Sequence, residues 1–302
     1  MKDSRFIGTG VAIITPFKNG EIDFDSLTKV VNHVINGGVD YIVALGSTGE
    51  TATLNEKEAR KVLDHVIQVV DKRVPIVAGN FGHNNTKDLC ALIEGYNFDG
   101  IAAILSSSPA YVKPSQEGIY QHFMAVQAVC PVPIILYNVP GRTRSNMEWE
   151  TTVRLANASD KFIGIKEASG DLIQVTRIVK NKPEHFFVTS GDDEVALPLI
   201  AVGGDGVISV IANAYPHQFS AMINAALNYD FREAQRLNFE TYDLHKWLYI
   251  EGNPVGIKSA TEILGLSSNE VRLPLAPLSA ENYAALQNEM SKVPSGAESV
   301  SA

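Results

Sequence analysis

No stretch of this chain stays apolar for the ~18 residues that a membrane-spanning helix needs. Its start, Met1-Lys2-Asp3-Ser4-Arg5, lacks the apolar core of a secretory leader. The expectation is a cytoplasmic protein with no membrane partner. Cysteine is scarce too: Cys90 and Cys130 stand far apart in helix-like stretches, which favours reduced core thiols over a disulfide. Positive charge is in deficit, with 25 Lys and Arg against 34 Asp and Glu and a net charge of −9. That balance leaves no electrostatic footprint for nucleic acid. The 7 histidines are scattered, none at paired metal spacing, so no metal is expected. Missing as well are a P-loop, a Gly-x-Ser-x-Gly elbow and a Gly-x-Gly-x-x-Gly after the first strand.

What the chain does have is alternation. Short, continuously apolar runs at Gly10–Thr15, Tyr41–Leu45, Val74–Ala78, Gly100–Leu105, Ile134–Tyr137, Phe162–Lys166, Phe186–Thr189 and Gly206–Val210 read as parallel strands covered by helices. Amphipathic stretches lie between them. Asn55 with Glu58 makes a capping-box pattern, and Asp23 with Ser26 opens the first helix that Gly37-Gly38 closes. Eight strand–helix units predict an α/β fold, a (β/α)8 TIM barrel over residues 1–215, with an open doubly wound sheet as the alternative. Strands stop after Ile211, and Phe219–Leu227, Arg232–Tyr249, Val255–Leu264 and Ala280–Lys292 read as a C-terminal helical extension over 216–292. Residues 293–302 are small and polar and are expected to form a mobile tail.

In such a barrel the carboxyl ends of the strands line the active site. Lys166 ends the run Phe162-Ile163-Gly164-Ile165, where burial would lower its pKa and make the amine a nucleophile for carbonyls. A Lys that snorkels to solvent or pairs with Glu167 is the competing reading. Gly46-Ser47-Thr48-Gly49-Glu50 follows the second strand, and its backbone N–H groups could converge on a carboxylate; a plain Gly-rich turn is the alternative. Tyr137 ends the fifth strand, as either a proton-transfer phenol or a core aromatic. Arg142 sits in a Pro/Gly loop beyond it, free to hold a carboxylate or simply solvated. Tyr111 follows a Ser-rich loop after the fourth strand and alone would read as a surface or interface aromatic. The acids of Ser190-Gly191-Asp192-Asp193-Glu194 read as caps of the next helix.

Five segments together, Gly46–Glu50, Tyr137–Thr143, Gly164–Ala168, Ser190–Asp193 and Gly206–Val210, resemble the dihydrodipicolinate synthase and N-acetylneuraminate lyase family over roughly residues 6–290. The resemblance implies a Schiff base between Lys166 and pyruvate, with Tyr137, Ser47 and Tyr111 as a proton relay. Tyr111 would reach in from a neighbouring subunit. It also implies that Thr48 and the Ser47-Thr48 backbone hold the pyruvate carboxylate, with the Ile208 carbonyl nearby. Arg142 would orient L-aspartate 4-semialdehyde. No cofactor is required, and the family commonly forms homotetramers built from homodimers.

The chain departs from the family pattern at Ser47, usually Thr, and at Ala110, usually aromatic. Ala110 and Ala59 lack the side chains that bind feedback lysine in some members, so inhibition by L-lysine is expected to be weak or absent. The main alternative is a pyruvate lyase or aldolase of the same family, acting on N-acetylneuraminate or a 2-keto-3-deoxy sugar acid. A non-catalytic relative would be expected to lose Lys166 or Tyr137.

Overall fold

A computed structural model of the chain describes residues 1–294. Eight parallel strands close into a barrel. They are β1 Gly8–Ala12, β2 Tyr41–Ala44, β3 Ile76–Ala78, β4 Ala103–Ser107, β5 Ile134–Asn138, β6 Phe162–Glu167, β7 Phe187–Ser190 and β8 Gly206–Ser209. Each pairs with its sequence neighbours, and β8 returns to β1 through Gly8↔Gly206 to Val11↔Ser209. The expected (β/α)8 barrel is present. The expected caps are present too: Asn55 and Glu58 form the full capping box, and Asp23 caps Phe24–Asn36.

Alternate strand residues divide the core in two. Tyr41, Val43, Val77, Leu105, Ile135 and Phe187 face the barrel interior, whereas their neighbours pack against the helices. Phe6 plugs the amino-terminal end, edge-on to Tyr41 at 5.5 Å and stacked on Phe187 at 6.0 Å. Ring burial there closes this end among the described residues, and the opposite mouth holds the cavity.

A bulge aims the strand that carries Lys166. The β5–β6 register runs Ile134↔Phe162 and then Ile135↔Gly164, so one residue of β6 is extra. Ile163 faces inward and Ile165 outward, which brings Lys166 back to the inside. Strict alternation from Ile163 would have turned Lys166 toward the helices. Gly164 tolerates the crowding because it has no side chain; a Cβ there would lie 2.5 Å from the Phe187 ring.

Three features differ from the sequence-based expectation. Asn19-Gly20, both at positive φ, turn a small hairpin of Phe17–Lys18 and Glu21–Ile22. Arg232–Tyr249 is not one helix but two, Phe231–Thr241 and Leu244–Tyr249. The second piece turns to pack on helices Val255–Ile263 and Ala280–Met290, so tertiary packing overrides a continuous helical period. The helix Pro216–Leu227, expected to begin the extension, packs on β1 and on helices Phe24–Asn36 and Ala196–Ala201, where a barrel's eighth helix belongs. Most of the segment expected as a mobile tail, 295–302, lies outside the described residues. Cys90 and Cys130 are free thiols.

Candidate active site

The barrel mouth opens into a cavity of about 790 Å³ lined by Lys166, Tyr137, Ser47, Thr48 and Arg142. Strand register places the first two together: Tyr137 and Lys166 are direct partners on β5 and β6. The Lys166 side chain is 5% exposed, and its Nζ lies 4.7 Å from the centre of the Tyr137 ring. It has no hydrogen-bond or ion-pair partner among the described residues, so the competing Lys166–Glu167 pair does not form. Burial lowers its pKa to about 8, Asp193 and Asp192 pull the other way, and Arg142 adds to the lowering. Gly191 makes room for the amine, since a Cβ there would meet Lys166 Cε at 2.9 Å.

Desolvation raises the Tyr137 phenol above its ordinary range, opposed by the Arg142 charge and the facing Ser47 hydroxyl. It therefore stays protonated at neutral pH and can donate. The residues next to the pair face the other way and hold it. Asn138 and Glu167 are the next register partners, and Asn138 Nδ2 donates to Glu167 Oε1 at 3.1 Å and Oε2 at 3.0 Å. Gln174 Nε2 and the Ser169 N–H add bonds of 2.9 and 2.7 Å to the same carboxylate. This buried clasp ties the two reactive strands at the level of the site.

After β2, Gly49 N–H returns to Gly46 O and Glu50 N–H to Ser47 O. The N–H groups of Ser47 and Thr48 have no acceptor among the described residues. Adjacent free donors of this kind form an anion cradle. Thr48 is 3% exposed and accepts from Asn253 Nδ2 at 3.0 Å. Arg142 is exposed at the rim, where its Nη2 donates to Asn253 O at 3.2 Å.

Two expected site residues stand apart within the single chain. Tyr111 is 88% exposed, at φ 68°, and does not line the cavity. Ile208 is fully buried in the inner core, whereas Val210 beyond it lines the cavity. The Asp193 cap also falls elsewhere than expected: Oδ2 accepts from Val210 and Ile211 N–H at 3.0 and 2.9 Å, bracing the turn after β8 rather than the next helix. Asn253 was missed by sequence reading, because it comes from the helical extension and no local pattern marks it.

The closed (β/α)8 barrel opens at its mouth on an unpaired, buried lysine that faces a phenol, the arrangement of an enzyme whose active site lies at the carboxyl ends of the strands. The chain belongs to the dihydrodipicolinate synthetase family, whose model matches residues 5–293. A 4-hydroxy-tetrahydrodipicolinate synthase of Parabacteroides distasonis is 46% identical over 284 residues, covering 94% of this chain and 95% of the relative. One from Flavobacterium psychrophilum is 46% identical over 277 residues, covering 91% and 94%. The solved structure of dihydrodipicolinate synthase from Thermotoga maritima superposes with a TM-score of 0.93 at 36% identity, covering 96% of this chain and 99% of that one.

Proposed function

We propose that this chain condenses pyruvate with L-aspartate 4-semialdehyde, the reaction of a 4-hydroxy-tetrahydrodipicolinate synthase in lysine and diaminopimelate biosynthesis. The observation that carries the reading is the Lys166 amine, buried, unpaired and aimed into the cavity beside Tyr137. The neutral amine adds to the pyruvate ketone, and Tyr137 protonates the departing oxygen so that water leaves. The resulting protonated imine draws electrons from the methyl carbon, which loses a proton and becomes an enamine. The enamine carbon attacks the aldehyde, whose oxygen takes a proton. The amino group of the second substrate then adds to the former ketone carbon and expels Lys166.

The other groups take the roles that the family resemblance implies for them. The free N–H groups of Ser47 and Thr48 and the Thr48 hydroxyl hold the pyruvate carboxylate. Ser47, facing Tyr137, passes protons, and Arg142 at the rim receives the carboxylate of the second substrate. The family resemblance adds the Ile208 carbonyl near the bound pyruvate carboxylate. Tyr111, exposed in its own chain, completes the relay in a neighbouring subunit, so the working form is a homodimer or a homotetramer of two such dimers. No helix among the described residues is long and apolar enough to cross a membrane, which accords with the cytoplasmic location we propose. Inhibition by L-lysine is expected to be weak or absent, given Ala59 and Ala110.

The test is product formation from the two substrates, with borohydride trapping of pyruvate as internal control. Cyclised product that disappears in Lys166→Ala supports the synthase. Trapping without product moves the chain to a sibling aldolase, and the absence of both signals overturns the role of Lys166.

A further inference from the structure

Glu50 closes the anion-binding turn, and its surroundings are unusual. It is 3% exposed and has left-handed backbone angles, φ 53° and ψ 34°. For a residue with a Cβ that conformation costs roughly 1–2 kcal/mol, so something must hold it. The side chain supplies the hold. Its Oε1 contacts Lys258 Nζ as an ion pair, with side-chain exposures of 1% and 0%. Oε2 accepts from the Arg272 N–H at 3.1 Å. Lys258 also donates to Glu270 O at 2.8 Å and lies 4.0 Å from the centre of the Phe17 ring.

Lys258 belongs to helix Val255–Ile263, and the residue just before that region, Asn253, reaches both Thr48 and Arg142. One short segment of the helical extension thus holds the turn at its middle and at its far end, and the rim arginine as well. A buried ion pair roughly breaks even against a hydrophobic pair of similar volume, so stability alone does not explain it. It does fix a geometry: Glu50 N–H closes on Ser47 O at 3.1 Å, so the angle at Glu50 sets where the free Ser47 and Thr48 N–H groups point.

We propose that Glu50, locked by Lys258 of the helical extension, is a positioning residue that aims the Ser47 and Thr48 N–H groups at the carboxylate of the keto acid. This rests on the proposed reading of that turn as the pyruvate carboxylate site. It assigns the selectivity for an anionic ketone to a contact between barrel and extension, away from the reacting atoms.

The experiment compares borohydride trapping on Lys166 by pyruvate and by acetone, a ketone with no carboxylate, in wild type and Glu50→Gln. The wild type is expected to prefer pyruvate strongly. In the variant the pyruvate-over-acetone preference falls on the order of 10- to 100-fold, as a misplaced binding group costs, while acetone trapping is unchanged. A purely structural role would lower both ketones together and leave the ratio intact, which overturns the proposal. Should Glu50→Gln fail to fold, Glu50→Gln/Lys258→Met removes both charges at similar volume, and the same ratio is read. Absence of pyruvate trapping in the wild type would instead defeat the proposed function.

Discussion

Lys166 at the barrel mouth and Lys258 in the helical extension are both buried amines whose pKa falls to about 8. Desolvation is the main cause in each. Their partners differ. Lys258 has the Glu50 carboxylate, a backbone carbonyl and an aromatic face. Lys166 has only the face of Tyr137 and an open cavity. Lys182 makes a third case, also lowered to about 8, yet its Nζ donates to Phe186 O. A perturbed pKa therefore marks several lysines in this molecule, and the missing partner is what sets Lys166 apart as the proposed nucleophile.

The sharpest way to break this comparison is to delete each amine. Lys166→Ala is expected to abolish the borohydride adduct and product formation while leaving the thermal midpoint at pH 7 unchanged or higher. Lys258→Ala is expected to cost about 3–5 kcal/mol of stability, because it leaves Glu50 buried and unpaired, as denaturant unfolding would measure. If the stability loss followed Lys166 instead, the contrast would fail.

Tyr137→Phe keeps the ring over Lys166 and removes the proton. A loss of about 10²- to 10⁴-fold in kcat is expected from general acid–base catalysis, read in steady-state kinetics with the adduct still detectable at long times. A near-normal kcat would remove Tyr137 from the chemistry.

The third prediction concerns pH. Below about 8 the Lys166 amine is mostly protonated, so the trapping rate at low pyruvate should rise about tenfold per pH unit and level off above it. Tyr137, raised above its ordinary range, stays protonated through this window. The stability sign follows from the same shift. The folded amine loses its proton near 8 and the unfolded one near ~10.4, so the desolvation cost is fully present below 8 and is relieved as pH rises between them. A rate that is flat across pH 8 would contradict an unpaired amine.

The smallest effect is expected at Gly191→Ala. The new Cβ would lie 2.9 Å from Lys166 Cε and 2.6 Å from Ala168 Cβ, crowding worth roughly 1–3 kcal/mol. Its mark should be a slower adduct with the fold intact, visible by comparing trapping with circular dichroism.

Much of this was legible in the chain because it is local. The apolar runs, the Asn55–Glu58 cap and the placing of Lys166 and Tyr137 at strand ends all follow from neighbours in sequence. Asn19-Gly20 was local as well; it is a hairpin signal that could have been read. The β6 bulge was not legible, since an extra residue exists only relative to β5. Nor were Asn253 and Lys258, which reach the turn at 46–50 from some two hundred residues away. The break at Tyr242-Asp243 was hidden for a similar reason, because the helical period runs on and only packing bends it.

The most direct test of the central claim is to map the site of the borohydride-fixed pyruvate adduct by peptide mass spectrometry at pH 8. The account predicts a single modified lysine, Lys166, with Lys258 and Lys182 unmodified despite their equally lowered pKa. An adduct on either of those two, or none on Lys166, would contradict it.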